Sequence, residues 1–270
     1  MSTNNLQLWL ENKTTIQSVQ SASDAQYNDV VSICERTYNK INEEIKTTID
    51  NEYVYFLTSY ANICAMKEES ILKEIELQEA IITIRRNQVN TDKTKYAQKL
   101  SNSLYYASDL YRRSNNATQA IERLKEKLKC EYEILENEPQ AGVYAIGITQ
   151  YLLANTYALC DQTTLAEEYY KECIETFDTL AKQEDCNITT IFAQILTEFA
   201  ELYLSVGNIN NAIDRYLQAI DLYMSIETPD NKTKDLLLAL LGRLKEIYTI
   251  THSNQKAEYY NQLIEIYKNN

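Results

Sequence analysis

The side chains that most often carry out catalysis are few and widely separated in this 270-residue sequence. His252 is the only histidine, and it lies in a polar run that reads Thr-His-Ser-Asn. A nucleophile–histidine pair would have to combine it with a thiol such as Cys160 or Cys173, and neither cysteine has a flanking nucleophile motif. A glycine-rich loop that could hold a phosphate is also missing from the sequence. These residues predict a turn position for His252 and no catalytic nucleophile.

The cysteines and carboxylates give no sign of a metal or cofactor site. The six cysteines are dispersed without a Cys-x-x-Cys pair, which predicts reduced and mostly buried thiols. Acidic pairs such as Glu43-Glu44 and Glu167-Glu168 would need a desolvated cleft to act as acid and base. Such pairs are typical of exposed helix faces. We therefore expect no cofactor, no bound metal and no enzymatic activity.

Charge and composition restrict the fold and the partner class. The formal net charge is −13 without a basic stripe, so we expect neither nucleic acid nor an anionic membrane as a partner. No run of about 18–20 apolar residues could span a bilayer, and the first residues do not resemble a secretory signal, which predicts a soluble, cytoplasmic protein. Only 4 Gly and 2 Pro occur, too few for many β-hairpins. The expectation is an all-α fold.

One segment, residues 191–224, predicts a helix hairpin. Apolar residues recur at helical spacing in its first half, Gly207-Asn208 interrupts the pattern, and the spacing then resumes. Two helices can cross closely only where small residues lie at the contact and a large aromatic residue fills the space beside it. The residues that meet this need are Ala200, Tyr203, Gly207, Ala212, Tyr216 and Ala219.

The same spacing recurs along the chain. It is found again as Ala154, Tyr157, Asp161, Ala166, Tyr170 and Cys173, and more weakly from Ser108 to Lys127, where the lysine takes the place of a small residue. Its last position falls at Ala80, Lys127, Cys173, Ala219 and Ile264, with separations of 47, 46, 46 and 45 residues. We interpret most tyrosines in this pattern, including Tyr157, Tyr203 and Tyr216, as core residues.

This order and spacing resembles the tetratricopeptide repeat, and the long period is similar to that of kinesin-light-chain-like arrays. The family's usual period is about 34 residues. The resemblance covers residues 52–267 and implies a right-handed superhelical solenoid of antiparallel helix hairpins, about five of them in residues 51–270. The additional residues are expected between hairpins, at 87–95, 136–142, 182–189 and 227–234. Residues 1–50 predict two further helices, around Leu6–Ile16 and Tyr27–Tyr38, that form either a cap or a small effector segment.

The resemblance also implies a binding surface. In this family the first helix of each hairpin lines a concave, peptide-binding face. Arg112 and Arg113 suit a carboxylate, because a guanidinium can engage two oxygens at once, or they are solvated charges near a helix end. The lysines of the carboxylate clamp found in chaperone-binding members are absent. The residues predicted for the concave face are Tyr55, Asn62, Asn102, Tyr105, Asp109, Arg112, Arg113, Ile148, Tyr151, Asn155, Gln194 and Glu201.

The function expected from these features is a protein- or peptide-binding scaffold. Two alternatives stay open. One is a structural subunit that associates with itself, and the other is a peptide-responsive regulatory protein in which residues 1–50 act as the effector.

Overall fold

A computed structural model describes residues 24–45, 47–66, 70–136, 139–182 and 188–269, and every regular element within these ranges is an α-helix. The helix predicted around Leu6–Ile16 lies outside the described residues. The helices are α1 (Asp24–Ile45), α2 (Asn51–Cys64), α3 (Ile71–Thr91), α4 (Lys93–Arg113), α5 (Ala117–Leu135), α6 (Pro139–Leu159), α7 (Thr163–Ala181), α8 (Thr189–Ser205), α9 (Ile209–Met224), α10 (Asn231–Ile250) and α11 (Asn254–Asn269).

The helices pair as antiparallel hairpins, which confirms the predicted fold class. The chain divides into two compact units, residues 1–142 and 143–270. The hairpins α2–α3 and α4–α5 lie in the first unit. The second unit contains nearly all of α6–α7, together with α8–α9 and α10–α11. In each hairpin we call the helix that comes first in the chain the first helix and the other the second helix.

Four hairpin turns share one geometry. Each contains a residue in the left-handed region, namely Asn115, Asp161, Gly207 or His252, with φ of 59°, 56°, 75° and 56°. The N–H of the next residue then donates to the carbonyl of a tyrosine five positions back, Tyr111, Tyr157, Tyr203 or Tyr248, at 2.8–3.0 Å. This is a Schellman cap, which satisfies the last carbonyls of the first helix. His252 therefore lies in a turn, as predicted.

In three of these hairpins the second helix begins at a close crossing. Ala120, Ala166 and Ala212 come five residues after the left-handed residue of their turn, and all three are completely buried. A larger side chain there would push the two helices apart, because interiors are close-packed. The turn and the small residue together determine where the second helix lies against the first.

Aromatic rings fill the space beside these crossings in the second unit. Tyr157 stacks on Tyr169 with ring centroids 5.6 Å apart, and Tyr248 stacks on Tyr260 at the same distance. Between hairpins, Tyr170 of α7 stacks on Phe199 of α8 at 4.9 Å. The tyrosines predicted to be core residues are buried, so most of the aromatic content of this unit maintains packing.

Lys127 of α5 is buried although it occupies a small-residue position. Its ammonium group donates to the carboxylate of Glu131, one turn along the helix, and the hydroxyl of Ser101 on α4 approaches the same oxygen at 3.3 Å. Cys173 and Phe177 occupy the equivalent positions in α7, and both are completely buried. A polar cluster therefore replaces a small thiol and an aromatic ring in the core of this hairpin.

The connection predicted at residues 87–95 is helical apart from one residue. α3 continues to Thr91 and α4 begins at Lys93, so Asp92 alone separates them. The N–H of Asp92 donates to the carbonyl of Gln88, which ends α3, and its carboxylate accepts from the N–H of Lys95 at 3.0 Å, which starts α4. The prediction was wrong because one capping residue can serve both helices.

Helix α1 packs into the core of the first unit. Val30, Cys34, Tyr38 and Ile41 are buried in one cluster with residues of α2 and α3. Cys34, Tyr38 and Ile41 have the spacing of Cys173, Phe177 and Leu180 in α7, three periods later. α1 therefore has the register of a second helix. The separate role suggested for residues 1–50 stays a prediction.

Two glycine substitutions test the turn geometry. Nothing lies within 4 Å of a Cβ added at Gly207 or at Gly242, so neither alanine would clash. We expect Gly207→Ala to lower the free energy of unfolding by about 1–2 kcal/mol, because its φ of 75° is unfavourable for an L-residue. Gly242→Ala, within α10, should raise it by about 0.5–1 kcal/mol. Urea unfolding measures both, and equal effects would contradict the assignment.

The buried pair in α5 gives a second prediction. Lys127→Met should lower the free energy of unfolding by about 3 kcal/mol, since it leaves the Glu131 carboxylate buried without its cation. Adding Glu131→Phe, the residue type that α7 has there, should restore stability to within about 1 kcal/mol of the original chain. A neutral effect of Lys127→Met in thermal or urea unfolding would show that Glu131 does not depend on this partner.

Candidate peptide-binding surface

The residues predicted for the concave face lie on the first helices at equivalent positions, and none of them is buried. Asn102, Ile148 and Gln194 follow one another at 46-residue intervals, as do Tyr105 and Tyr151, and Asp109, Asn155 and Glu201. On α2, Tyr55 and Asn62 occupy the first and third of these positions. The repeat therefore brings these side chains to the same side of each first helix.

In the second unit, Glu198 of α8 forms hydrogen bonds with several of these predicted surface residues. One carboxylate oxygen of Glu198 accepts from the hydroxyl of Tyr151 at 2.7 Å, and the other accepts from the side-chain amide of Asn155 at 2.7 Å. Gln194 also donates to Glu198, at 3.3 Å. Three predicted ligand contacts are therefore hydrogen-bonded to one carboxylate that links α6 to α8.

A second carboxylate repeats the arrangement one hairpin later. Glu201 of α8 accepts two hydrogen bonds from the guanidinium of Arg243 on α10, at 3.0 and 3.2 Å, and another from the hydroxyl of Tyr216. Hydrogen bonding to Glu201 and then to Tyr216 raises the pKa of Arg243 above its ordinary value. Burial and the hydrogen bond to Glu201 raise the pKa of Tyr216, which keeps its phenol protonated as the donor. Glu201 thus contacts the neighbouring repeat, and its role toward a ligand stays a prediction.

We call the Glu198 and Glu201 contacts the carboxylate bridges. Tyr151, Asn155 and Glu201 lie on the face that was predicted to contact a ligand. In the structure these three side chains have hydrogen-bonding partners in the neighbouring repeat, which the sequence of a single repeat does not reveal. Glu198 was missed for the same reason. The available signal was the separation of 43 residues between Asn155 and Glu198 and of 42 between Glu201 and Arg243, a hydrogen-bonding pair each time.

In the first unit the corresponding contacts between hairpins join second helices. Arg86 of α3 forms two hydrogen bonds with Glu126 of α5, at 2.7 and 2.8 Å, and Arg123 donates to Glu79 at 2.6 Å. These residues are partly buried. The link between α3 and α5 leaves the polar side chains of the first helix α4 outside this network.

Two tyrosines dominate the exposed side of α4. Tyr105 is 41% exposed and Tyr106 is 62% exposed, and their rings meet edge to face with centroids 5.8 Å apart. Tyr55 on α2 is 41% exposed. Tyr105 was predicted from the sequence as a ligand contact, whereas Tyr106, which occupies the position of Glu198 in α8, was not. Consecutive tyrosines in one helix cannot both face its core, and that was the signal.

The two arginines at the end of α4 have different surroundings. Arg113 is exposed and lies 3.9 Å from Asp109, one turn away. Burial raises the pKa of Glu74 on α3, and the positive charge of Arg113 opposes this rise. Arg112 is half-buried, and its Nε is buried without a hydrogen-bond partner among the described residues. Only Arg113 is therefore well placed to meet a ligand in the way predicted for the pair.

The described ranges contain neither a membrane-spanning helix nor a cluster of metal ligands. No helix within them is long and apolar enough to cross a membrane. Among those same residues, no three His, Cys, Asp or Glu side chains are arranged to hold a metal ion.

Comparison with solved structures identifies the class of fold. The chain is similar to BtubC (BKLC) from P. vanneervenii, with 17% identity over 90% of this chain and 89% of that chain and a TM-score of 0.60. It is similar to a putative kinesin light chain from Podosopora anserina with nearly identical TPR-like repeats, with 15% identity over 81% and 94% and a TM-score of 0.56. The chain is also similar to the apo form of RapI, with 8% identity over 97% of this chain and 97% of that chain and a TM-score of 0.52.

These likenesses establish a tetratricopeptide-like helical repeat fold, as the spacing predicted. No protein-family model matches the sequence, and no curated protein matches it. Fold similarity at such low identity does not transfer a partner or an activity.

The carboxylate bridges give a third prediction. Glu198→Ala should lower the free energy of unfolding by about 1–2 kcal/mol, because hydrogen bonds to charged groups contribute roughly that amount and this site is only half-buried. A double-mutant cycle of Asn155→Ala with Glu198→Ala should give a coupling energy above about 0.5 kcal/mol. Gln194→Ala is the control, since its longer contact lies within one helix. Additive effects of the two substitutions would contradict the bridge.

Proposed function

We propose that this chain is a non-catalytic, cytoplasmic scaffold that binds a segment of another protein along the exposed sides of its first helices. The observation that carries the proposal is the exposed Tyr105–Tyr106 pair on α4. Tyrosine is enriched in binding hot spots because it supplies a large rigid contact area and a hydroxyl at little entropic cost. Isolated exposed apolar residues are ordinary on any protein, but two adjacent rings in contact form a local patch.

Amides beside the tyrosines support the proposal. Asn62 on α2 and Asn102 on α4 are both exposed, at the third and the first of the equivalent positions on the first helices. A side-chain amide can donate to a backbone carbonyl and accept from a backbone N–H, so it can contact an extended segment regardless of that segment's sequence. Tyr55 on α2 adds a third exposed ring to the two tyrosines of α4. Asn51 of α2 and Tyr96 of α4 lie within hydrogen-bonding reach of each other.

The last helix argues against self-association by stacking at that end. α9 buries Tyr216, Ile220 and Tyr223, whereas α11 has Asn261, Glu265 and Lys268 at the equivalent positions. Asn261 accepts from Lys245 at 2.7 Å, and Glu265 pairs with Lys268 at 3.2 Å. Polar residues that already have partners are poorly suited to apolar packing against a second copy.

The burial of α1 bears on the effector alternative. Four of its apolar side chains lie in the core cluster of the first unit, so detaching α1 would expose them to water. This supports a capping role for α1. Deleting residues 1–45 should therefore lower the stability of the first unit, measured by urea unfolding, and a variant of unchanged stability would favour a separate effector.

The scaffold is tested by removing its two rings. Affinity capture from the native cell followed by mass spectrometry defines the partner of the original chain. Tyr105→Ala with Tyr106→Ala should then reduce recovery of that partner about 10-fold or more, because hot-spot truncations cost roughly 2 kcal/mol. The matched control is Tyr132→Ala, a tyrosine of similar exposure on the second helix α5.

Two further measurements separate the explanations. Urea unfolding of the double variant should match the original chain within about 0.5 kcal/mol, since both rings are substantially exposed. Light scattering over a range of concentrations reports self-association. Unchanged partner recovery in the double variant, or a captured partner that proves to be a second copy of the chain, would contradict the proposal.

A further inference from the structure

The second hairpin is basic within an acidic chain. Residues 93–136 contain nine Lys and Arg and six Asp and Glu, whereas residues 139–230 contain three and fourteen. The net charge of −13 therefore conceals a local excess of positive charge on α4–α5. Such a local excess attracts a ligand of opposite charge to that hairpin.

On α4, part of this charge lies in line with the exposed tyrosine Tyr106. Successive intervals of four and three residues place a row of side chains on one side of the helix, and the row is about 27 Å long at 1.5 Å per residue. All of its members are exposed or half-buried. We call this row the α4 stripe, and it consists of Lys95, Lys99, Asn102, Tyr106, Asp109 and Arg113.

The stripe has three cations and one acid. The ammonium groups of Lys95 and Lys99 each lie 5.1 Å from the centre of the Tyr96 ring, which holds them beside the helix without neutralising them. Asp109 lies 3.9 Å from Arg113, a loose contact at an exposed site, where such pairs contribute little. The cations at the two ends of the stripe are therefore available to carboxylates of a ligand.

The first helices α6 and α8 lack this feature, whereas α10 has four Lys and Arg and two Asp and Glu. α6 and α8 contain no lysine or arginine at all. On α10, Arg243 occupies the position of Tyr106, but its guanidinium is bonded to Glu201 and lies 3.4 Å from Glu246. In the second unit the equivalent surface is therefore apolar or acidic on α6 and α8, and on α10 the exposed Lys232 takes the position of Lys95 while the paired Arg243 replaces the exposed tyrosine.

We propose that the α4 stripe binds an acidic, extended segment of a partner protein. This inference rests on the proposed function and assigns the chemistry of its partner. An extended segment rises about 3.3 Å per residue, so the stripe accommodates about eight residues. Lys95 and Lys99 at one end of the stripe and Arg113 at the other form ion pairs with carboxylates of the segment. Tyr105, Tyr106 and Asn102 contact the middle of the segment. The exposed tyrosine pair beside the cations distinguishes α4 from the first helices of the second unit.

A binding screen with a defined probe tests the inference. Phage-displayed random dodecapeptides are selected on the full-length chain, and the most enriched peptide is synthesised with a fluorescein label for anisotropy measurements. The enriched sequences should be rich in Asp and Glu. The affinity of the peptide should fall at least 10-fold between 50 and 500 mM NaCl, because exposed ion pairs are screened by salt.

Charge reversal locates the site. Lys99→Glu with Arg113→Glu should weaken the labelled peptide at least 10-fold. The matched control is Lys125→Glu with Lys129→Glu, which changes the net charge equally on exposed positions of the second helix in the same hairpin. The control should keep the affinity within about 3-fold. If both variants weaken binding equally, the whole hairpin's field attracts the peptide and the stripe assignment is wrong.

The remaining outcomes separate this inference from the proposed function. Enriched peptides that are neutral or basic, yet lost with Tyr105→Ala and Tyr106→Ala, overturn the acidic partner and leave the scaffold standing. A labelled single-stranded RNA that binds more tightly than the peptide overturns it in favour of nucleic acid. Failure to enrich any peptide also overturns it, and partner capture with the tyrosine variants then decides the scaffold independently.

Discussion

The close crossing of the two helices in each hairpin is the constraint on which the rest of the structure depends. It requires a small buried residue where the second helix begins, as at Ala120, Ala166 and Ala212, and a left-handed turn five residues earlier. Because both recur at intervals of 46 residues in three hairpins, the first helices α4, α6 and α8 present the same side to solvent. The buried ion pair of Lys127 and Glu131 replaces apolar packing in α5, yet the close crossing at Ala120 is kept.

Contacts between hairpins then decide which part of the exposed surface is available to a ligand. In the second unit Glu198 and Glu201 connect first helices, so the side that would face a ligand is occupied by internal hydrogen bonds. In the first unit Arg86 and Arg123 connect second helices instead. Neighbouring hairpins are thus connected through first helices in the second unit and through second helices in the first unit. This difference leaves tyrosines and cations exposed on the first helix α4.

The fold was predictable because its determinants are local. Spacing of small and aromatic residues located the hairpins, and Gly207 and His252 marked turns that the structure contains. The candidate site was only partly predictable. Tyr105 and Arg113 lie on an exposed surface as expected, whereas Tyr151, Asn155 and Glu201 bond to residues more than 40 positions away or across a hairpin. Such pairings depend on how repeats stack, which periodicity within one repeat does not specify.

Asp92, the single residue between α3 and α4, couples the length of the chain to the direction in which α4 faces. A helix turns by about 100° per residue, so one inserted or deleted residue near this joint would rotate the tyrosines and cations of α4 away from α2 or into the core. The other connections between hairpins hold more residues and can absorb such changes in length. We therefore expect a change of chain length to be tolerated at those connections and to misdirect α4 when it falls between α3 and α4.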